Sequence, residues 1–172
     1  MKKNYYLLVF VLLLSAATKA QTAWVTKNLD DKLSVKFPSE PQKLTRTGID
    51  IYTAKGKDSV GYSASIIDYE VLAHLDSATL SSMKDTQEFA DQMKTGMATT
   101  MTKYTLGDIK IGKWRTYTAY TISGTDNATK STVSMQMVII GTKMYTLSCI
   151  VPAKVSTKDN ETFLGSIETL KK

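Results

Sequence analysis

The feature that most constrains the fold is a pair of alternating segments separated by a short polar loop. Residues 131–140 and 144–151 place apolar side chains at every second position, which is the period of a half-buried β-strand. Gly141-Thr-Lys143 between them is typical of a hairpin loop. The pair therefore predicts an antiparallel hairpin. Its apolar faces carry Val133, Met135, Met137 and Ile139 on one strand, and Tyr145, Leu147, Cys149 and Val151 on the other.

A shorter alternating stretch, Leu33-Ser-Val-Lys-Phe-Pro-Ser-Glu-Pro41, lies near the N-terminus. Its apolar residues fall at positions 33, 35 and 37, which predicts another strand. Pro38 has no N–H to donate to a neighbouring strand, and Pro41 fixes a second φ angle. We therefore expect the strand to end at this point and the chain to turn away.

Four more segments have the composition of strands. They are residues 49–53, 59–69, 106–111 and 114–122. Polar turn clusters at 54–58 and 123–127 follow the first and the last of these segments.

Two segments have helical spacing. Apolar residues from 77 to 101 predict one long helix, with Asp76 or Ser77 as its N-cap. A C-terminal helix, capped by Ser156 or Thr157, is predicted to carry Phe163, Leu164, Ile167 and Leu170. The order of elements predicts an α+β fold built on a mostly antiparallel β-sheet.

The N-terminus has the composition of a secretory signal peptide. Basic residues at Lys2 and Lys3 precede an apolar segment of 13 residues, Tyr5–Ala17, and small residues follow it before Gln21. A membrane-spanning helix needs about 20 apolar residues, so this segment is too short to remain in a bilayer. We expect residues 1–20 to be removed, leaving residues 21–172 as a single exported domain in the periplasm or outside the cell, with no stable membrane insertion.

Charge and cysteine content exclude two classes of protein. Removal of Lys2, Lys3 and Lys19 leaves 19 basic residues against 16 acidic residues, a net charge of +3 in place of +6. The remaining lysines are scattered, which argues against nucleic acid as a partner. Cys149 is the only cysteine, so the chain has no internal disulfide and its stability depends on its core.

The order of elements and two local stretches resemble the PsbP-like superfamily and the small exported bacterial proteins that share its fold. One stretch is Leu33–Pro41; the other is Lys143-Met-Tyr-Thr-Leu-Ser-Cys-Ile-Val-Pro152, followed by Phe163 and Ser166-Ile167. The resemblance covers nearly all of the proposed mature chain by element order. It implies an α/β/α sandwich, with helices packed on both faces of the sheet. Members of this fold assist photosystem assembly, bind protein partners or have no assigned function.

The residues that could carry catalysis are few. His74 is the only histidine, so the metal-binding histidines of plant-type members have no counterpart here, and an exposed or capping position is expected for it. Cys149 lies on an apolar strand face, where a thiol is usually inert. Gly107–Lys113 fits a phosphate-loop spacing, but Trp114 stands where Ser or Thr is needed. We therefore predict no enzymatic activity, no catalytic residues and no cofactor.

The sequence favours a binding or accessory factor of the cell envelope that acts on another envelope protein. Trp24, Trp114 and Arg115 are the candidate contact residues, and the alternative is that both tryptophans cover the core. A second hypothesis is a carrier of copper or a small ligand beside the long helix. Met93, Met97 and Met101 recur every four residues there, and thioethers suit Cu(I), although methionine is also a common core residue.

Overall fold

The computed structural model describes residues 24–46 and 48–170, so the predicted signal peptide lies outside the described residues. The strands are β1 Val25–Asn28, β2 Leu33–Phe37, β3 Gln42–Arg46, β4 Ile49–Lys55, β5 Gly61–Asp68, β6 Tyr104–Leu106, β7 Lys110–Trp114, β8 Tyr117–Asp126, β9 Thr132–Ile140, β10 Lys143–Val151 and β11 Glu168–Thr169. The helices are α1 Tyr69–Ala73, α2 Ser77–Met83, α3 Gln87–Thr100 and α4 Asp159–Leu164. No helix in these ranges is long and apolar enough to cross a membrane.

The strands form two antiparallel sheets. The main sheet has the order β3-β4-β5-β10-β9-β8-β6, and β7 pairs with the first half of β8 while β6 pairs with its last residues. The small sheet has the order β1-β2-β11. The predicted hairpin is confirmed as β9 and β10, and Gly141 takes the positive φ of +62° that its tight loop requires.

The main sheet carries a separate hydrophobic cluster on each face. Side chains of β9 such as Met137 point to one face, whereas Tyr145 and Leu147 of β10 point to the other. The first cluster is covered by the small sheet and α4, and its buried residues include Leu33, Val35, Phe37, Tyr62, Tyr145, Leu147, Cys149 and Phe163. The second cluster is covered by α2 and α3, and its buried residues include Leu80, Phe89, Ala90, Tyr120, Val133, Met135, Met137 and Ile139. The predicted sheet with helices on both faces is confirmed.

The long helix predicted over residues 77–101 is wrong in one respect: it is two helices. Asp76 does cap α2, since its carboxylate accepts a hydrogen bond from the Thr79 N–H at 2.7 Å. A new N-terminus then forms at Thr86, whose hydroxyl accepts from the Phe89 N–H at 3.2 Å. Asp85, between the helices, accepts a hydrogen bond from Thr118 Oγ1 on β8 at 2.8 Å. The corner between α2 and α3 is therefore attached to the sheet.

The C-terminal prediction also needs correction. The helix α4 ends at Leu164, so Ile167 and Leu170 lie beyond it. Ile167 is nevertheless buried in the first cluster, and Glu168–Thr169 pairs with β2 instead of continuing the helix. Neither Ser156 nor Thr157 is the N-cap, which is Lys158, although Thr157 Oγ1 accepts from the Asp159 N–H at 3.1 Å.

Several strand boundaries differ from the predictions. The segment 106–111 is divided between β6 and β7, and β8 continues through the predicted turn at 123–127 as far as Asp126. The turn comes later because the Asp126 carboxylate accepts hydrogen bonds from the Ala128 and Thr129 N–H groups. The strand before Pro38 ends at Phe37 as predicted, but β3 starts directly after Pro41. The sequence patterns did not predict β1, β3, β11 or α1.

Candidate functional site

One end of the main sheet gathers several turns. Strands β4, β8 and β10 begin there, and β5, β7 and β9 end there. We call it the turn end. Loop residues Asp30 and Lys32 of the small sheet also lie at this end, because Asp30 bonds to Tyr145 and Lys143 at the start of β10. Loops positioned by a rigid sheet are the usual place for binding residues.

The turn end carries an aromatic cluster formed by Trp114, Arg115 and Tyr117, called here the Trp114 cluster. The Trp114 and Tyr117 rings stack with their centroids 6.1 Å apart. The Arg115 guanidinium lies 4.9 Å from the Trp114 ring centroid, within the range of a cation–π contact. Its Nη1 donates to Thr169 Oγ1 at 2.6 Å. The exposed arginine is therefore held in place from two sides.

Backbone geometry also defines this cluster. Arg115 adopts a left-handed conformation with φ +55°, which makes the two-residue turn between β7 and β8 possible. Trp114 and Tyr117 are half-buried and pack against the first core cluster. Two of the three predicted contact residues, Trp114 and Arg115, are thus adjacent to each other on an exposed turn.

Trp24, the third predicted contact residue, lies elsewhere. It precedes β1, and Val25 pairs with Phe37 at the end of β2 that is remote from Lys32. The Trp24 ring meets the Tyr62 ring edge-on, with centroids 5.9 Å apart, and packs against the first cluster. The structure therefore does not bring Trp24 together with Trp114.

Asp30 joins the small sheet to the main sheet at the turn end. Its Oδ2 accepts hydrogen bonds from Tyr145 Oη at 2.7 Å and Lys143 Nζ at 3.0 Å. Its Oδ1 accepts from the N–H groups of Lys32 and Leu33 at 2.8 and 3.1 Å. Burial would raise the pKa of Asp30, but these hydrogen bonds outweigh it and the pKa is lowered. Burial, with the Asp30 carboxylate beside it, raises the pKa of Tyr145.

A cleft of about 470 Å³ lies beside Asp30, and we call it the acidic cleft. Its walls contain three carboxylates against one ammonium group. Its rim carries two aliphatic side chains of α1 that are largely exposed, Val71 at 78% and Leu72 at 59%. The lining residues are Leu29, Asp30, Gly48, Ile49, Asp50, Ile66, Ile67, Asp68, Val71, Leu72 and Lys143.

No pattern in the sequence predicts this cleft. Asp30 lies three residues before β2, and nothing local to it indicates the partner Tyr145, which is 115 positions away. The predicted strand 59–69 includes only the first residue of α1, and no element is predicted for residues 70–73. Asp68, as the N-cap whose carboxylate accepts from the Glu70 N–H, was the one local signal for α1.

The methionine stripe is where the spacing predicted it. Met93 and Met97 lie on α3 and Met101 ends it, and all three are half-buried against the second core cluster. The acidic cleft is not lined by residues of α3. Within residues 24–46 and 48–170, no three His, Cys, Asp or Glu side chains are grouped so as to hold a metal ion. Copper binding by the three thioethers stays a prediction.

The remaining reactive residues lie apart from the turn-end clusters. His74 is exposed and ends α1 in a left-handed conformation with φ +54°, the capping position expected of it. Cys149 is fully buried in the first cluster, and burial raises the pKa of its thiol to about 12. Its Sγ lies 3.9 Å from the Asn160 carbonyl oxygen. The thiolate needed for nucleophilic chemistry is strongly disfavoured there.

Comparison with solved structures identifies the fold. The solution structure of cyanobacterial PsbP (CyanoP) from Synechocystis sp. PCC 6803 superposes over 89% of this chain and 96% of that chain, with 11% identity and a TM-score of 0.54. A crystal structure from Bacteroides thetaiotaomicron superposes over 81% of this chain and 45% of that chain, with 16% identity and a TM-score of 0.40. No protein-family model and no curated protein matches the chain. The likeness to cyanobacterial PsbP confirms the predicted PsbP-like α+β fold.

Proposed function

We propose that this chain is an exported, non-enzymatic accessory factor of the cell envelope that works by binding another envelope protein. Residues 1–20 serve as the signal peptide and residues 21–172 as the mature domain. The partner is contacted through the Trp114 cluster at the turn end. Export is supported by the composition of the N-terminus, and the accessory role by the resemblance to PsbP-like proteins.

The observation that carries the proposal is the geometry of the Trp114 cluster. Tryptophan, tyrosine and arginine are the residue types most enriched among the energetically dominant residues of protein interfaces. Here all three stand side by side, with Arg115 fixed by the Trp114 ring and by Thr169. Because Arg115 is already ordered, binding a partner costs less side-chain entropy than ordering a free arginine.

Site-specific photo-crosslinking in the host's own cells tests this function. A photoreactive phenylalanine analogue at the exposed Thr116, inside the β7–β8 turn, is expected to capture one defined polypeptide. The same analogue at Thr99, exposed on α3, is the matched control and is expected not to capture it. Adding Trp114→Ala to the Thr116 probe should abolish capture. Equal capture from both positions, or capture that survives Trp114→Ala, would contradict the proposal.

The signal-peptide cleavage site is tested separately. N-terminal sequencing of the protein purified from the envelope fraction is expected to begin at Gln21. A chain that retains Met1 and stays in the cytoplasm would contradict the export part of the proposal and leave the contact surface untouched.

A further inference from the structure

The acidic cleft has an apolar rim that no element of the described chain covers. Val71 and Leu72 are two of the few large aliphatic side chains that stand exposed, and both border the cleft. Ile49, Ile66 and Ile67 form part of its walls. Exposed aliphatic side chains gathered around a concave surface are typical of an interaction site. An aliphatic or aromatic side chain of a partner fits such a rim.

The position of α1 explains why this corner is open. The helices α2 and α3 cover the second cluster. Its buried strand residues lie on β8 and β9, with Met144 from β10. On the same face, the β4, β5 and β10 side carries half-exposed Ser63, Ser65, Thr146 and Ser148. The helices α2 and α3 thus leave one half of this face uncovered, and the short α1 lies at the edge of that half.

The charged side chains of the cleft indicate which kind of group could bind there. The Asp30 carboxylate is paired with Lys143 at 3.0 Å, and Asp50 with Lys43 at 2.8 Å. Asp68 lies directly opposite Lys143 in the register of β5 and β10. Its carboxylate accepts a hydrogen bond from the Glu70 N–H and helps to raise the pKa of Lys143, whose Nζ bonds to Asp30, so one ammonium group faces two carboxylates. The cleft thus retains an excess of negative charge that a cationic group would balance.

We propose that the acidic cleft is the docking site for a segment of the protein partner that carries lysine or arginine beside an aliphatic or aromatic side chain. The apolar side chain packs against Val71 and Leu72, and the cation lies next to Asp68. This inference rests on the proposed function and names a second contact surface for the same partner. An anionic lipid headgroup is disfavoured by the sign of the charge.

Titration of the ¹⁵N-labelled mature domain with model peptides tests the docking site. The probe is acetyl-Leu-Lys-Leu-Lys-Leu-amide, and the two comparison peptides replace its lysines with glutamate or its leucines with serine. Only the first is expected to shift the backbone amide signals of Gly48, Asp68, Val71, Leu72 and Lys143. The double change Val71→Ser and Leu72→Ser should weaken binding about tenfold, because it removes both aliphatic contacts.

Two further variants test the contribution of charge to peptide binding and the specificity of the apolar contacts. Asp68→Asn should weaken binding of the lysine peptide and reduce its dependence on salt concentration. Ile150→Ser changes another exposed aliphatic residue, outside the cleft, and should leave binding unchanged. An unaltered spectrum away from the substituted positions verifies that each variant is folded. Equal binding of the glutamate peptide, no shifts at millimolar peptide, or shifts that appear on concentrating the protein alone would overturn the proposal.

The crosslinking experiment distinguishes failure of the docking site from failure of the proposed function. If the Thr116 probe captures its partner equally well in the Val71→Ser, Leu72→Ser background, the cleft is not a docking site and the accessory function stands. If the unmodified background captures nothing, the accessory function fails, while the peptide titration still decides what the cleft binds.

Discussion

The two core clusters lie on opposite faces of one sheet but are built from different side chains. The first is held by aromatic rings, with Phe163 against Phe37 at 5.1 Å and against Tyr62 at 5.2 Å between centroids. The second is rich in methionine, with Met83, Met93, Met97 and Met101 around its edge. Rings in defined contacts specify one arrangement, whereas flexible thioether chains adapt to several.

The clusters also differ in where their covers come from along the chain. The first is closed by β1 and β2 near the N-terminus and by α4 and β11 near the C-terminus. The second is covered by α2 and α3, which are consecutive. Of the 14 residues of α3, only Phe89 and Ala90 are buried. We infer that the first cluster sets global stability and that α3 opens at lower free energy than the sheet.

The largest expected effect is at the aromatic contacts. Phe163→Ala should destabilise the fold by about 4 kcal/mol, because it removes two ring contacts in a site with no exposed surface. Phe89→Ala, the matched change in the second cluster, should cost about 3 kcal/mol, since neighbouring methionines can move into the space. Urea unfolding of both variants measures the difference. An equal or larger loss for Phe89→Ala would contradict the comparison.

Asp30 gives the next largest effect, at the junction of the two sheets. Asp30→Asn should cost about 2 kcal/mol at neutral pH, because it leaves the partly buried Lys143 without its counter-ion. Asp31→Asn, an exposed neighbour, should change stability by less than about 0.5 kcal/mol. Urea midpoints at pH 7 measure both.

The same variant has a pH signature. The pKa of Asp30 is lowered in the folded state, so the unfolded state binds a proton first as the pH falls. Its stabilising contribution is complete above the unfolded pKa of about 3.9 and is lost as the pH falls through that value towards the folded pKa. The acid-side loss of stability should therefore be shallower in Asp30→Asn than in the parent. Parallel curves would show that Asp30 is not linked to folding.

A smaller effect is expected at the N-cap of α3. Thr86→Ala removes the hydroxyl that accepts from the Phe89 N–H and should cost about 1 kcal/mol. Hydrogen exchange should show faster exchange confined to α3, with β9 and β10 unchanged. Thr95→Ala, at an exposed position inside the same helix, is the control and should leave that exchange slow. Faster exchange throughout the sheet would show that α3 does not open independently.

The smallest effect is expected at the methionine stripe. Met97→Leu preserves volume and should change stability by less than about 1 kcal/mol. Because leucine lacks the thioether, Cu(I) titration of this variant separates packing from metal binding. Copper affinity that is present in the parent, survives Cys149→Ser and falls in Met97→Leu would support the carrier hypothesis. Equal copper binding by parent and Met97→Leu would leave the stripe as core packing.

The elements that the sequence predicted correctly are specified by residues close to one another in the chain. The β9–β10 hairpin follows from alternation and a glycine loop, and the end of β2 follows from Pro38. The cap at Asp76 is local in the same sense. The turn at Arg115 and Thr116 was not predicted, because residues 114–122 were assigned to a single strand.

The missed features depend on contacts between distant positions. β11 has two residues and exists because it pairs with β2, and β3 has five exposed residues with no apolar alternation. The corner between α2 and α3 is attached to β8 by the hydrogen bond between Asp85 and Thr118, and the acidic cleft unites residues from 29 to 143. No window of the sequence contains these pairings, so periodicity could not predict them.

The pairing of β1 and β11 with β2 imposes an order on biosynthesis. Glu168 and Thr169 lie opposite Ser34 and Leu33, so the β2 strand lacks one neighbour until these two residues have been synthesised. The nascent chain therefore keeps Phe37 without its ring partner until Phe163 has been synthesised. The first cluster therefore cannot close before α4 and β11 have been synthesised.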